Sequence, residues 1–193
     1  MEEELKSMKD NEVWDLVELP KGIKTISCKW IFKTKYDSNG NVERYKARLF
    51  AKGYTQKEGI DYKKKFSPVS KKDSLRIVMA LVAHFDLELH QMDVKTAFLN
   101  GDLHEEVYMD QLEGFQDKGK EHMVCKLKKS IYGLKQTFRQ WYLKFHEILI
   151  TFGFKENLVD QCIYLKISGS KICIIALYVD DMLLASNNMR MIF

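Results

Sequence analysis

Lys171-Ile172-Cys173-Ile174-Ile175-Ala176-Leu177-Tyr178-Val179-Asp180-Asp181-Met182-Leu183-Leu184-Ala185 is the stretch on which the fold turns. One apolar run leads in, another leads out, and two adjacent carboxylates separate them. Runs this short and this apolar predict buried β-strands. Asp forms turns readily, so the pair is expected in the tight turn of a hairpin. Neighbouring anions flanked by buried strands repel each other and lose hydration. A divalent cation offsets both penalties, because hard cations take carboxylate oxygens as ligands. Taken by itself the stretch reads more simply as an exposed Asp-Asp turn. The rest of the chain changes that balance.

Upstream, Cys162 to Ile167 reads as the strand that joins this run through Ser168-Gly169-Ser170. Before it, Phe138, Trp141, Tyr142, Phe145, Ile148, Leu149 and Phe152 recur at helical spacing and Gly153 closes the pattern, predicting a helix with its aromatic stripe in the core. Leu87 to Val94 reads as a strand that delivers Asp93 at its end. Asp93 reads equally as the cap of the short turn that follows. Asp73 or Ser74 is expected to cap a helix whose Leu75, Val78, Met79, Val82 and Phe85 face the core. Glu2 to Asn11 reads as a short, weakly amphipathic helix.

A hairpin is expected around the turn cluster Asp37-Ser38-Asn39-Gly40. Ile26, Cys28, Trp30 and Phe32 alternate with polar neighbours, and Tyr45, Ala47, Leu49 and Ala51 share one face of the return strand. Its other face carries Arg44, Lys46, Arg48 and Lys52 around Phe50. This basic face is either a solvated strand surface or a surface for phosphates, since Arg and Lys supply most backbone contacts to nucleic acids. Lys126, Lys128, Lys129 and Lys135 form a second basic region.

Hydrophobic residues make up 46% of the chain, enough for a core, and the net charge of +4 supports no global argument for nucleic acid. Cys28, Cys125, Cys162 and Cys173 form no C-x-x-C pair and are expected as free thiols in a reducing compartment. The histidines form no zinc motif. The acidic first residues lack the apolar core of a secretory signal and no run has the length of a membrane span, so an intracellular location is expected. The mixed order of strands and helices predicts an α+β fold, helices packed on one face of an antiparallel sheet. Asp93, Asp180 and Asp181 could meet across neighbouring strands and hold two divalent ions, the arrangement of polymerases and nucleases.

These residues resemble a known family. Tyr178-Val179-Asp180-Asp181 resembles the Y-x-D-D box of reverse transcriptases. Gln91-Met92-Asp93-Val94-Lys95-Thr96-Ala97-Phe98-Leu99-Asn100-Gly101-Asp102-Leu103 resembles the first-aspartate motif of the copia-type retrotransposon branch. Tyr45-Lys46-Ala47-Arg48-Leu49, Phe66-Ser67-Pro68-Val69 and Lys128-Lys129-Ser130-Ile131-Tyr132-Gly133-Leu134-Lys135-Gln136 match in order. The resemblance implies an RNA-directed DNA polymerase acting on dNTPs, with RNA template and DNA primer as partners. It implies the fingers and palm of the right-hand fold. Residues 1–85 would be mainly the basic fingers-like ribbon lobe with the first palm helix, and residues 86–193 mainly palm. It implies two Mg²⁺ ions, with Mn²⁺ as substitute, on Asp93, Asp180, Asp181 and the Val94 carbonyl. Lys46 and Arg48 would contact the triphosphate, and Phe98 would lie under the sugar. Gly133 and Lys135 would lie near the nucleotide, and Arg44, Lys52 and Tyr178 along the nucleic acid. Cytoplasmic virus-like particles and the nucleus are the implied locations.

The chain departs from the family at Leu112 and at Thr137-Phe138, where prolines are usual, and at Lys64-Lys65, where an acid and Thr are usual. Losing Pro removes a fixed φ and a helix-entry signal. Family members continue into a thumb and an RNase H region, so the chain is expected to be a piece of a polyprotein. The alternative is an inactive remnant that at most binds nucleic acid.

Overall fold

The computed structural model describes residues 1–191, apart from the side chain of Met189. The elements follow in the order α1 (Glu2–Asp10), β1 (Trp14–Val17), β2 (Cys28–Tyr36), β3 (Val42–Ala51), α2 (Lys72–Phe85), β4 (Glu88–Asp93), β5 (Asp102–Met109), β6 (Val124–Lys129), α3 (Thr137–Thr151), β7 (Lys155–Glu156), β8 (Ile163–Ser168), β9 (Lys171–Tyr178) and β10 (Asp181–Ser186). The fold is α+β, and the ladders between these strands are antiparallel. Two units form: Met1–Phe66 with Phe98–Trp141, and Ser67–Ala97 with Tyr142–Phe193. Each draws on two stretches of chain. β6 pairs back with β1, and Val78 of α2 packs with Ile163 and Ile174 of the later strands.

In the first unit, β2 and β3 make a two-stranded ribbon and β1-β6-β5 a three-stranded sheet. The ribbon turn is fixed by Asp37, whose carboxylate accepts the N–H groups of Asn39 and Asn41 at 2.9 and 2.8 Å. Met8, Val13, Ile26, Leu49, Met109 and Leu127 share one buried cluster. The expected alternation holds at the ribbon's base, where Leu49 and Ala51 are buried. It fails toward the tip, where Phe32 is 66% and Tyr45 81% exposed. An isolated pair of strands has no layer above its tip to bury them. Part of the second basic region is structural: Lys126 pairs with Glu106 at 2.6 Å and Lys128 with Asp15 at 2.9 Å.

In the second unit the sheet order is β4-β10-β9-β8-β7. Val78, Leu87, Ile163, Ile174, Ala176 and Ala185 form its core. Leu75 and Val82 pack against that core, but Met79 and Phe85, expected inside, are exposed. The face of α2 that the sheet covers is narrower than the apolar stripe written in the sequence. Neither Asp73 nor Ser74 is the N-cap. Lys71 holds that position, and its N–H is donated to the carboxylate of Asp160 at 2.8 Å. Burial raises the Asp160 pKa, yet bonds from Ser74, the Lys71 and Cys162 N–H groups and Ser70 outweigh it and hold the carboxyl below its usual range.

Trp141, Tyr142, Phe145 and Leu149 of α3 are buried as expected, while Phe138, Ile148 and Phe152 are exposed. Tyr142 donates to Glu156 at 3.0 Å, and His146 Nδ1 lies 3.1 Å from the Tyr164 hydroxyl, so polar groups tie this helix to β7 and β8. All four cysteines are free, and burial pushes the Cys125 and Cys162 thiols up to about 12. Among the described residues no helix is long and apolar enough to cross a membrane.

Candidate functional site

The second unit gathers the three acids through strand register. β10 lies between β4 and β9, and Asp181 is the cross-strand partner of both Asp93 and Tyr178. Val179-Asp180 is the two-residue turn of the β9–β10 hairpin. The Val94 N–H donates to the Asp180 carbonyl at 3.1 Å, which locks the end of β4 to that turn. Asp93 is exposed, and Asp180 and Asp181 are half-buried, so water-borne ligands reach all three. The donors are all oxygens, as a hard divalent cation requires. The Val94 carbonyl accepts a long bond from the Ala97 N–H at 3.3 Å, which leaves it one lone pair. Among the described residues no three acidic, His or Cys side chains form a ready-made metal cage. The strand register brings the backbone of the three acids to one place.

Both loops at this place carry β-branched residues at positive φ: Thr96 at 54° and Val179 at 62°. A positive φ at the first turn residue and not at the second is the pattern of a type II′ turn, which favours Gly there. Val in that conformation is strained by about 1–3 kcal/mol. Val179→Gly is therefore expected to stabilise the chain by about 1 kcal/mol, less the extra chain entropy of Gly. Urea denaturation measures it. A lower midpoint would show that the valyl contacts outweigh the strain.

The first unit carries the remaining residues of interest. On β3, Arg44, Lys46 and Arg48 share a face with their β2 partners Lys35, Lys33 and Ile31. Burial lowers the Lys46 pKa, and the charges of Arg48, Arg44 and Lys35 lower it further, while Glu4 pulls the other way. The Arg48 guanidinium lies 4.7 Å from the centre of the Tyr132 ring. Tyr132 meets Phe98 edge-on at 5.0 Å, and Phe138 meets Phe98 edge-on at 4.9 Å. Phe98 is only 5% exposed as a result. Phe138, one of the departures from the family, thus packs on the residue expected beneath the sugar.

Gly133 has φ +95°, and a Cβ there would collide with the Ala51 carbonyl oxygen and the Phe50 ring. Lys135 donates its N–H to Gln56 Oε1 at 2.8 Å, and the buried Gln56 and Gln136 amides bond at 3.1 Å. Lys52 is half-buried, its N–H on the Ser27 carbonyl, and Tyr178 is exposed. Tyr132 was missed by the reading of the sequence, although it stands inside a quoted motif next to Gly133. The Gln56–Gln136 pair was missed because nothing local marks it. A cavity of about 710 Å³, lined by Trp14, Leu49, Phe115 and Cys125 among others, includes none of the expected site residues.

Comparison with known proteins follows the same residues. The family model described as "Reverse transcriptase (RNA-dependent DNA polymerase)" matches residues 11–193. The chain is 51% identical over 193 residues to the retrovirus-related Pol polyprotein from transposon TNT 1-94 of Nicotiana tabacum. It is 44% identical over 189 residues to that from transposon RE1 of Arabidopsis thaliana, and 31% over 190 to the Ty1-DR4 Gag-Pol polyprotein of Saccharomyces cerevisiae. These matches cover 100%, 97% and 96% of the chain but 14%, 13% and 11% of the relatives. No solved structure matches.

Proposed function

The chain belongs to the reverse transcriptase (RNA-dependent DNA polymerase) family, in its copia-type branch, and on that premise we propose that it extends a primer with dNTPs on an RNA template. The observation that carries the proposal is the direct pairing of Asp93 with Asp181, with Asp180 tied to Val94 beside them. Two carboxylate-bearing strand ends in one register form the place where a primer hydroxyl and a triphosphate can be brought together. Two divalent cations, Mg²⁺ or Mn²⁺, would supply acidification of the attacking 3′-hydroxyl and charge neutralisation on the departing pyrophosphate. Asp93, Asp180, Asp181 and the Val94 carbonyl would hold them.

Lys46 and Arg48 would bind the triphosphate, with Arg48 braced on the Tyr132 ring. Phe98, backed by Tyr132 and Phe138, would set the floor beneath the sugar, where a fixed ring rejects a 2′-hydroxyl by size. Lys135 and Gly133 would border the nucleotide, and Arg44, Lys52 and Tyr178 would follow the template-primer backbone. In this reading β4 and the β9–β10 hairpin are palm and the β2–β3 ribbon is fingers.

The test is extension of a DNA primer on an RNA template by the purified chain, with Mg²⁺ or Mn²⁺ and dNTPs. Extension that stops on chelation is the expected result. Absence of extension with either ion, alongside salt-sensitive binding of the same template, would leave only the nucleic-acid-binding role.

A further inference from the structure

The β2–β3 ribbon has two unlike faces. Register and alternation put the cations Lys33, Lys35, Arg44 and Lys46 on one, and Trp30, Phe32 and Thr34 with Leu49, Ala47 and Tyr45 on the other. The second face carries no charge over these six positions. Its base is anchored, because the Trp30 ring meets Phe115 edge-on at 5.9 Å and stacks on Phe32 at 6.4 Å. Beyond Trp30 the face stands in water: Phe32, Tyr36, Tyr45 and Val42 are all exposed. The rings lie on a diagonal. Phe32 is the cross-strand partner of Ala47, and Tyr45 that of Thr34. Each ring therefore has a small residue beside it on the ladder, so the face is a pattern of two knobs and two hollows.

We propose that the aromatic face of the β2–β3 ribbon docks on the same face of a second copy of this chain. The pattern is self-complementary, as a two-fold interface requires. A two-fold axis lying in the face and running along the strands reverses the diagonal. Phe32 of each copy then falls over Ala47 of the other, and Tyr45 over Thr34, so large and small residues interdigitate. The exposed parts of Phe32, Tyr36, Tyr45 and Val42 come to about 500 Å² per copy, and a pair buries about 1,000 Å², the lower bound of a specific interface. Charge selects the same partner. The cation face repels its own copy, whereas the aromatic face meets itself without opposing like charges. A nucleic acid needs cations for its phosphates beside the rings that stack its bases, and this face has none. Docking turns the cations of both copies outward, which leaves them free for phosphate.

The experiment is sedimentation velocity of the nuclease-treated 193-residue chain across a concentration series, at about 0.1 M and about 0.5 M salt. The expected result is a monomer–dimer equilibrium with a dissociation constant of about 10–100 μM, in keeping with a small interface. Salt leaves it unchanged or tightens it, because the contact is apolar and the net charge of each copy is screened. Phe32→Ser combined with Tyr45→Ser weakens the dimer at least about a hundredfold, since the two rings are its anchors. Thr34→Arg, which sets a cation in the hollow under Tyr45, does the same and serves should the double variant fail to fold. Lys29→Ser combined with Lys33→Ser, on the opposite face, leaves the dimer intact. Equal thermal midpoints verify the fold of each variant. A dimer that persists in the aromatic-face variants, or that dissolves as salt rises, overturns the proposal. So does a monomer at every concentration; weaker binding of a single-stranded oligoribonucleotide by the aromatic-face variants would then give the face to nucleic acid.

Discussion

If the chain extends primers as proposed, Asp181→Asn is expected to lower extension by at least about a thousandfold and, without divalent ions, to raise the thermal midpoint by about 1–3 °C. The two effects have one origin. Asp181 is opposed across the ladder by Asp93 and followed in sequence from Asp180. Like charges directly opposite on paired strands cost about 0.2–1 kcal/mol, which in a domain of this size is a few degrees at most. Asn keeps the shape and removes the repulsion. The same charge is what a pair of divalent ions needs. Losing one proposed ligand would forfeit several kcal/mol of transition-state stabilisation, and each 1.36 kcal/mol is about tenfold in rate. Mg²⁺ is therefore expected to raise the midpoint of wild type by preferential binding to the folded state and to leave the variant nearly unmoved. Extension by Asp181→Asn within about tenfold of wild type would remove the acid pair from the mechanism.

Gly133→Ala destabilises the chain by about 3 kcal/mol or more, a drop of about 6–12 °C in thermal midpoint. Two costs add. The φ of +95° is unfavourable for any residue with a Cβ, and that Cβ would run into the backbone oxygen of Ala51. Backbone cannot step aside as a flexible side chain can. The turn is also bound to β3 through the Ala51 N–H on the Tyr132 carbonyl, so relief of the clash breaks that bond. Tyr132 then moves with the turn, and Arg48 loses the ring beneath it. Thermal unfolding followed by circular dichroism measures the first effect. A midpoint within 2 °C of wild type, on that scale, would show that the turn shifts freely and that its fit to β3 is loose.

The strands around Asp180 were readable because their apolar runs are short and bounded by turn residues on both sides. The β2–β3 hairpin was readable for the same reason, through Asp37 and Gly40. What escaped depends on partners remote in sequence. The cap of α2 comes from Asp160, 89 residues beyond the Lys71 N–H that it receives, so local capping chemistry at Asp73 and Ser74 misled. Lys126 and Lys128 looked like a basic patch until Glu106 and Asp15 were seen to neutralise them. Phe32 and Tyr45 alternate as buried residues do, yet lie where nothing covers the ribbon. At the candidate site, each acid was visible at a strand end or turn, but no local pattern states which strands are neighbours. Met8 belongs to the same class: its helix was legible, its burial against Leu49 of β3 was not.

Among the described residues β4 occupies an outer position in its sheet and pairs only with β10, a strand that follows much later in the chain. On the ribosome, Asp93 emerges long before the strand that will oppose it. Until β10 arrives, β4 has no partner of its own sheet to saturate its peptide groups, so the acid pair is among the last features to assemble. The three acids are therefore expected to come together only after translation has passed the hairpin.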